Sequence, residues 1–176
     1  MSLFDLTGHV AIVTGGNGGI GLGMALGLAK AGASLAIVGR NADKNKIAIE
    51  KLQGMGATAI AIEKDITEEL AGTDVVTKVE DRFGRIDILI NNAGSNIRKR
   101  PEELSLNDFR WVQDTNLTSA FVFSQAVYPK FKTIGKGKII NIGSMYSIFG
   151  GAVATAYSVS KGGLIQMTKS MAAAWA

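Results

Sequence analysis

The chain lacks several residue types on which common protein classes depend. Its 176 residues include no cysteine, one histidine (His9) and two prolines. Without cysteine there can be no disulfide framework, thiolate zinc site or cysteine nucleophile, and the composition is compatible with a reducing compartment. A single histidine also cannot build a histidine metal cluster, so we expect no metal site.

Long apolar runs are missing as well. No stretch approaches the roughly 18 to 20 residues of a membrane-spanning helix, and the start, Met1-Ser2-Leu3-Phe4-Asp5, lacks the basic and apolar segments of a secretory signal. We therefore expect a soluble, cytoplasmic protein with no membrane partner. The net charge of +4 arises from interspersed charges of both signs, so nucleic acid is not an expected partner either.

Short β-branched apolar runs alternate with segments of helical spacing. Runs of strand length begin at Val10, Ser34, Ala57, Ile86 and Lys138, and helical spacing covers 20–31, 42–52, 74–83, 106–132 and 157–176. This alternation predicts a doubly wound α/β fold, in which right-handed crossovers bury both faces of a parallel sheet. Because there is no linker, repeat or low-complexity tract, we predict a single domain over 1–176.

A glycine-rich segment connects the first predicted strand to the first predicted helix. It reads Thr14-Gly15-Gly16-Asn17-Gly18-Gly19-Ile20-Gly21. Glycines permit a tight turn and let backbone amides approach a pyrophosphate, and the helix N-terminus adds partial positive charge. A bare match is weak in a chain with 22 glycines, but its place in the first βα unit favours a dinucleotide site over an ordinary turn.

The end of the second predicted strand bears on the choice of dinucleotide. NAD sites place an acidic residue there to bind the ribose hydroxyls, whereas this chain has Gly39 followed by Arg40. A guanidinium suits a 2′-phosphate, so we predict NADP as the preferred cofactor, with NAD as the alternative. In that alternative, Arg40 is a solvated loop residue and Asp43 or another group serves the ribose.

A tyrosine and a lysine, Tyr157 and Lys161, stand four residues apart and so share one helix face. A nearby ammonium favours a phenolate, which suits acid–base catalysis, although such pairs are common on helices. Ser144 lies just beyond the fifth predicted strand. Open parallel sheets bind ligands outside the carboxyl ends of their strands, so this placement favours a catalytic site.

Together these segments resemble the short-chain dehydrogenase/reductase family from Leu6 to the last residue. The matching elements, in the family's order and spacing, are Thr14-Gly15, Gly19-Ile20-Gly21, Asp65-Ile66, Asn91-Asn92-Ala93-Gly94, Asn116, Ser144, Tyr157 and Lys161. The resemblance implies a Rossmann-like sheet of strand order 3-2-1-4-5 and hydride transfer between a nicotinamide cofactor and a secondary alcohol or ketone. It also implies a homo-oligomer, either a dimer or a tetramer.

The resemblance assigns four catalytic residues. Tyr157 would exchange a proton with the substrate oxygen, while Lys161 would assist Tyr157 and hydrogen-bond the nicotinamide ribose. Ser144 would hydrogen-bond the substrate oxygen. Asn116, at a local break in the long fourth helix, would hold a water molecule that relays protons, although a mid-helix asparagine is more often only a mild helix breaker.

The implied cofactor-binding residues come from several segments. They are Gly15, Asn17, Gly19, Ile20, Gly21, Arg40, Asp65, Ile66, Asn92, Ala93, Gly94, Tyr157 and Lys161. Asp65 would contact the adenine amino group, and the segment 91–94 would close the floor of the cofactor cleft. Taken separately, Asp65 could be a helix cap and 91–94 an ordinary turn.

The substrate prediction rests on two loops. The cations Arg98-Lys99-Arg100 could attract an anionic substrate or form a solvated loop. With the segment 144–151, this loop resembles that of family members acting on gluconate-type sugar acids and polyols. The alternatives are reduction of a 3-oxoacyl thioester on acyl carrier protein, and a non-catalytic dinucleotide-binding module, which would have lost Ser144, Tyr157 or Lys161.

The C-terminal residues lead to a further expectation. Ala172-Ala173-Ala174-Trp175-Ala176 includes no C-cap glycine, and the family's last two strands have no counterpart here. We therefore expect a C-terminally incomplete domain in which the strand around Ile140 forms an exposed sheet edge.

Overall fold

The computed structural model describes residues 4–176, and strands alternate with helices throughout this range. The strands are β1 (Val10–Thr14), β2 (Ser34–Gly39), β3 (Ala59–Glu63), β4 (Ile88–Asn91) and β5 (Lys138–Asn141). The α-helices are α1 (Gly19–Lys30), α2 (Ala42–Gly54), α3 (Ala71–Phe83), α4 (Leu106–Gln113), α5 (Ser119–Ile134) and α6 (Thr155–Trp175). The predicted alternation is confirmed.

The strands form one sheet in the order β3-β2-β1-β4-β5. The pairs of β1 with β2, β1 with β4 and β2 with β3 are parallel, and Ile12 of β1 lies opposite Ala36 and Leu89. The predicted doubly wound fold and its strand order are therefore confirmed. Within the described residues β5 is the outermost strand on its side, and its Ile140 is 46% exposed, as expected of an exposed edge.

One face of the sheet packs with helices in an apolar core, and the central strands are buried on both faces. All five residues of β1 and the middle residues of β2 are buried, because strands covered on both faces have no solvated side. Helices α3 and α5 supply the covering side chains, including Val75, Val79, Phe123 and Val127.

By its internal packing the described chain divides into two units. The first contains the described residues up to Ala93 together with Val122–Ile140, and so holds α1–α3 and strands β1–β4. The second contains Gly94–Phe121 and Asn141–Ala176, and so holds α4 and α6.

The long helix predicted over 106–132 is interrupted near its middle. A π-helical segment, Asp114–Thr118, lies between α4 and α5 and contains Asn116. In this wider turn the Asn116 side chain bonds to the Ser95 backbone and to the Ser160 hydroxyl. The local break expected at Asn116 is therefore present.

Candidate active site

The glycine-rich loop between β1 and α1 is built so closely that side chains are excluded at two positions. Gly15 has a φ of 65°, and a Cβ atom there would lie 3.1 Å from the Cα atom of Ala93. A Cβ atom at Gly21 would overlap the carbonyl group of Gly15. Glycine at these positions lets the first turn of α1 pack directly against the loop.

The beginning of α1 fits the phosphates of a dinucleotide. Its N-cap, Gly18, makes no side-chain cap hydrogen bond, and no acidic residue lies in the first turn. A Cβ atom at Gly18 or Gly19 would meet nothing within 4 Å, so the space beside both residues is open, although the φ of 50° at Gly19 itself favours glycine. Free N–H groups and open space at a helix N-terminus suit an anion. Ile20, also predicted here, is 72% exposed.

Thr14 fixes the floor of this loop, a role that the sequence did not assign to it. Its Oγ1 accepts hydrogen bonds from the N–H groups of Asn92 and Ala93, both at 3.1 Å. The Asn92 Nδ2 donates to the Thr14 carbonyl at 3.0 Å. These bonds tie the carboxyl ends of β1 and β4 together. The sequence feature that could have indicated this role is a hydroxyl side chain at the end of an otherwise apolar strand.

Arg40 and Asp65, both predicted cofactor residues, contact each other. The Arg40 Nη1 lies 3.4 Å from the Asp65 Oδ2, and the two side chains are 65% and 34% exposed. Burial works to raise the pKa of Asp65, but hydrogen bonds from the Thr67 N–H and hydroxyl and the nearby Arg40 together hold that pKa below its usual value. Ile66, in contrast, is buried in the apolar core.

The second unit contains the tyrosine–lysine pair. The Lys161 Nζ lies 5.8 Å from the centre of the Tyr157 ring and donates a 2.7 Å hydrogen bond to the Ile142 carbonyl. Lys161 is only 4% exposed, and burial lowers its pKa. In the part of the chain that the structure describes, Lys161 has no ion pair, so its charge is not neutralised by a carboxylate.

Asn116 joins two segments of the second unit to the π-helical turn. Its Oδ1 accepts from the Ser95 N–H at 2.7 Å, and its Nδ2 donates to the Ser95 carbonyl at 2.8 Å and to the Ser160 Oγ at 3.0 Å. The Ser160 hydroxyl in turn donates to the Tyr157 carbonyl at 2.8 Å. A Cβ atom at the predicted Gly94 would lie 3.2 Å from the Asn116 Oδ1. The proton relay through water remains a prediction.

Ser144 caps a short 3-10 helix, Met145–Ser147. Its Oγ accepts from the Tyr146 N–H at 3.2 Å, and its own N–H donates to the Ser147 Oγ at 3.1 Å. The Tyr146 ring packs edge-on against the Tyr157 ring, with centroids 6.0 Å apart. These capping hydrogen bonds hold Ser144 and Tyr146 in one turn next to Tyr157.

One further contact near Tyr157 was not predicted. Gln113, the last residue of α4, donates from Nε2 to the carbonyl of Ala156 at 2.8 Å. Ala156 directly precedes Tyr157, so this bond fixes the first turn of α6 against α4. No sequence motif marks a glutamine in this position, because the bond joins residues 43 apart.

The second unit thus has a phenol beside a buried ammonium that no carboxylate neutralises within the described residues, and the first unit has a loop whose geometry suits an anion. The family model described as short chain dehydrogenase matches residues 9–176 of this chain. The chain belongs to this family. The resemblance stated from the motifs is confirmed, and the chain is an oxidoreductase of the short-chain dehydrogenase type.

Three curated relatives show which kinds of enzyme are similar in sequence to this chain. The 2-dehydro-3-deoxy-D-gluconate 5-dehydrogenase of Formosa agariphila is 39% identical, with 100% of this chain and 67% of that protein covered. The gluconate 5-dehydrogenase of Gluconobacter oxydans is also 39% identical, with 98% and 68% covered. A 3-oxoacyl-[acyl-carrier-protein] reductase of Chlamydia pneumoniae is 36% identical, with 95% and 67% covered.

Solved structures of dehydrogenases have the same fold. An NAD⁺-bound xylitol dehydrogenase matches with a TM-score of 0.94 at 34% identity, covering 97% of this chain and 66% of that one. A short-chain type dehydrogenase/reductase from Mycobacterium marinum matches with a TM-score of 0.93 at 33% identity, covering 98% and 72%. None of the helices of the described residues is long and apolar enough to cross a membrane.

Proposed function

We propose that this short-chain dehydrogenase interconverts a secondary hydroxyl and a ketone of a sugar acid or related polyol with NADP or NAD. The observation that carries the reaction type is the buried Lys161 ammonium beside Tyr157. Two sugar-acid dehydrogenases at 39% identity support the substrate class.

When bound, the nicotinamide supplies or accepts the hydride, and the chain supplies the proton chemistry. In the reductive direction the Tyr157 hydroxyl donates its proton to the ketone oxygen, and in the oxidative direction Tyr157 accepts a proton from the alcohol. The Lys161 ammonium favours the phenolate that remains after donation. Ser144 donates a hydrogen bond to the substrate oxygen and holds it in place. Asn116 supports Ser160 and the first turns of α6.

The experiment that tests the proposed mechanism replaces Tyr157 with phenylalanine. Tyr157→Phe removes the proton donor and keeps the ring, so we expect turnover to fall at least about a hundredfold, while cofactor dissociation constants measured by calorimetry change little. Tyr146→Phe is the matched control, since its ring packs against Tyr157 but its hydroxyl has no assigned role. Retained turnover in Tyr157→Phe would overturn the assignment.

The basic loop supports an anionic substrate. Lys99 is occupied by an ion pair with Asp108, 2.7 Å between Nζ and Oδ2. For the exposed Arg98 and Arg100, in contrast, no ion pair occurs among the described residues. Their guanidinium groups are therefore available to a carboxylate on the substrate.

A second candidate substrate is a 3-oxoacyl thioester on acyl carrier protein. The Chlamydia relative favours it, because the same cations would then face an acidic carrier. Assays of keto-sugar acids and acetoacetyl thioesters with NADPH separate the two. Turnover of the thioester alone would reject the sugar-acid proposal.

We also propose that the chain forms a homo-oligomer. Trp111 and Phe121 are 38% and 44% exposed, which leaves large apolar side chains available to a second copy. Sedimentation velocity on the chain and on Phe121→Asp tests this, and a monomer in both samples would contradict it.

A further inference from the structure

Three residues that are far apart in the sequence meet at the carboxyl end of β2. Asn17 belongs to the loop after β1, Gly39 is the last residue of β2, and Asn45 lies in the first turns of α2. The Asn17 Nδ2 donates to the Asn45 Oδ1 at 2.7 Å, and the Asn45 Nδ2 donates to the Gly39 carbonyl at 2.9 Å. All three lie in the first unit.

The hydrogen bonds of Asn45 determine the orientation of the Asn17 side-chain amide. Asn45 is 4% exposed, and a carbonyl such as that of Gly39 can only accept, so the Nδ2 of Asn45 must face it. The Oδ1 of Asn45 therefore faces Asn17, which must present its own Nδ2. As a result the Oδ1 of Asn17 is directed away from Asn45, and it has no hydrogen-bond partner among the described residues.

Gly39 provides the space in which this arrangement fits. A Cβ atom at Gly39 would overlap the Asn17 Nδ2 and would lie 2.9 Å from the Asn45 Oδ1. The two amides thus fill the volume in which a side chain at the end of β2 would begin. In dinucleotide sites of this fold, that strand end is where a carboxylate binds the adenosine ribose.

We propose that Asn45 is a positioning residue, which fixes the Asn17 amide as the group that contacts the adenosine ribose in place of a strand-end carboxylate. This inference rests on the proposed nicotinamide cofactor. A neutral amide can accept a hydrogen bond from a ribose hydroxyl through Oδ1 and can donate to a phosphate through its second N–H. It therefore does not repel a 2′-phosphate as a carboxylate would.

The test measures dissociation constants of NADPH and NADH by calorimetry on the full chain. Asn45→Leu has nearly the same shape and removes both hydrogen bonds of Asn45, and Asn17→Ala removes the amide itself. We expect each to weaken binding of both cofactors about tenfold. The double variant should be no weaker than Asn17→Ala alone, because Asn45 acts only through Asn17.

A second route does not remove a buried polar group. Gly39→Ala keeps the Asn45 side chain, but the new Cβ atom displaces the Asn17 amide and crowds the Asn45 Oδ1. We expect about tenfold weaker binding in the parent chain and a much smaller effect in the Asn17→Ala background. Asn41→Ala is the matched control, because Asn41 caps the same helix and its side chain bonds to the Lys44 N–H, not to Asn17. It should lower the unfolding temperature and leave both dissociation constants unchanged.

The possible outcomes separate this inference from the proposed function. A parent chain that binds neither cofactor overturns both. A parent chain that binds, with unchanged affinity in Asn45→Leu and Gly39→Ala or with fully additive losses in the double variants, overturns the role of Asn45 alone.

Discussion

Lys161 holds its charge where little water can solvate it. The side chain is 4% exposed, donates to the Ile142 carbonyl, and has no ion pair within the described range. Burial disfavours the charged form and so lowers the pKa of Lys161 below its ordinary value of 10.5. The folded chain therefore binds fewer protons at this site than the unfolded chain over the interval between the two pKa values.

This difference predicts a pH dependence of stability. The cost of burying the Lys161 charge is fully present below the folded pKa and disappears as the pH rises toward 10.5. We expect the free energy of unfolding of the parent chain to rise relative to that of Lys161→Met across this interval. Urea denaturation of both chains at a series of pH values from 7 to about 10 measures it. A constant difference between the two chains would show that the buried amine does not titrate as described.

Arg40 gives a second prediction at the scale of the residue. Its contact with Asp65 is exposed and long, 3.4 Å, and such pairs contribute little to stability, so we expect that the guanidinium can exchange this contact for a 2′-phosphate. Arg40→Gln should weaken NADPH binding about tenfold or more and NADH binding little. Lys44→Gln, which removes an exposed cation four residues along the chain, is the control. Equal losses for both cofactors would contradict a role in phosphate recognition.

Among the elements, the π-helical turn between α4 and α5 carries the predicted catalytic residue Asn116. In this turn the Asn116 Oδ1 accepts from the Ser95 N–H, and its Nδ2 donates to the Ser95 carbonyl and the Ser160 hydroxyl. A regular helix would have advanced the side chain by a different angle, so the wide turn and these three bonds depend on each other.

Replacing Asn116 should therefore destabilise the fold as well as the site. Asn116→Leu keeps the side-chain size but leaves buried partners unsatisfied, at a cost of about 1–3 kcal/mol for each such group. Thr118→Ala, in the same turn but with an exposed side chain, should change the free energy of unfolding by less than about 0.5 kcal/mol. Urea denaturation of the two variants compares these costs. Equal losses of unfolding free energy would mean that the hydrogen bonds of Asn116 do not stabilise the fold.

At the scale of the whole molecule, the apolar core around the sheet carries the stability. Phe123 on α5 is fully buried in that core, so Phe123→Ala should cost about 3–5 kcal/mol. Phe149→Ala, at a side chain 58% exposed, should cost far less. Thermal and urea unfolding of both variants test this, and a small cost at Phe123 would show that the core can collapse around the missing ring.

Most of the fold could be predicted because its signals are local. Apolar runs of strand length, helical spacing and the glycine loop lie within short windows, and the five predicted strands and the helices all appear. The element boundaries that differ from the prediction depend on contacts with residues distant in the sequence. The strand predicted from Ile86 begins at Ile88, and just before it the Asp87 carboxylate accepts from the Val10 N–H and from Arg85. Helix α3 begins at Ala71 rather than Asp74, where Gly72 packs closely against Val122.

The sequence by itself predicted the alternating α/β fold and the loop that suits phosphates, because both depend on residue type and spacing along the chain. The strand order and the residues proposed for the proton chemistry came from the family resemblance that the motifs carry. Only the tertiary structure decided that Thr14 ties two strand ends together, that Lys161 is buried without a carboxylate, and that Asn45 turns the Asn17 amide at Gly39. These features arise from contacts between residues up to about 80 positions apart. Hydrogen-bond direction and burial are properties of such contacts, and no local pattern of residues encodes them.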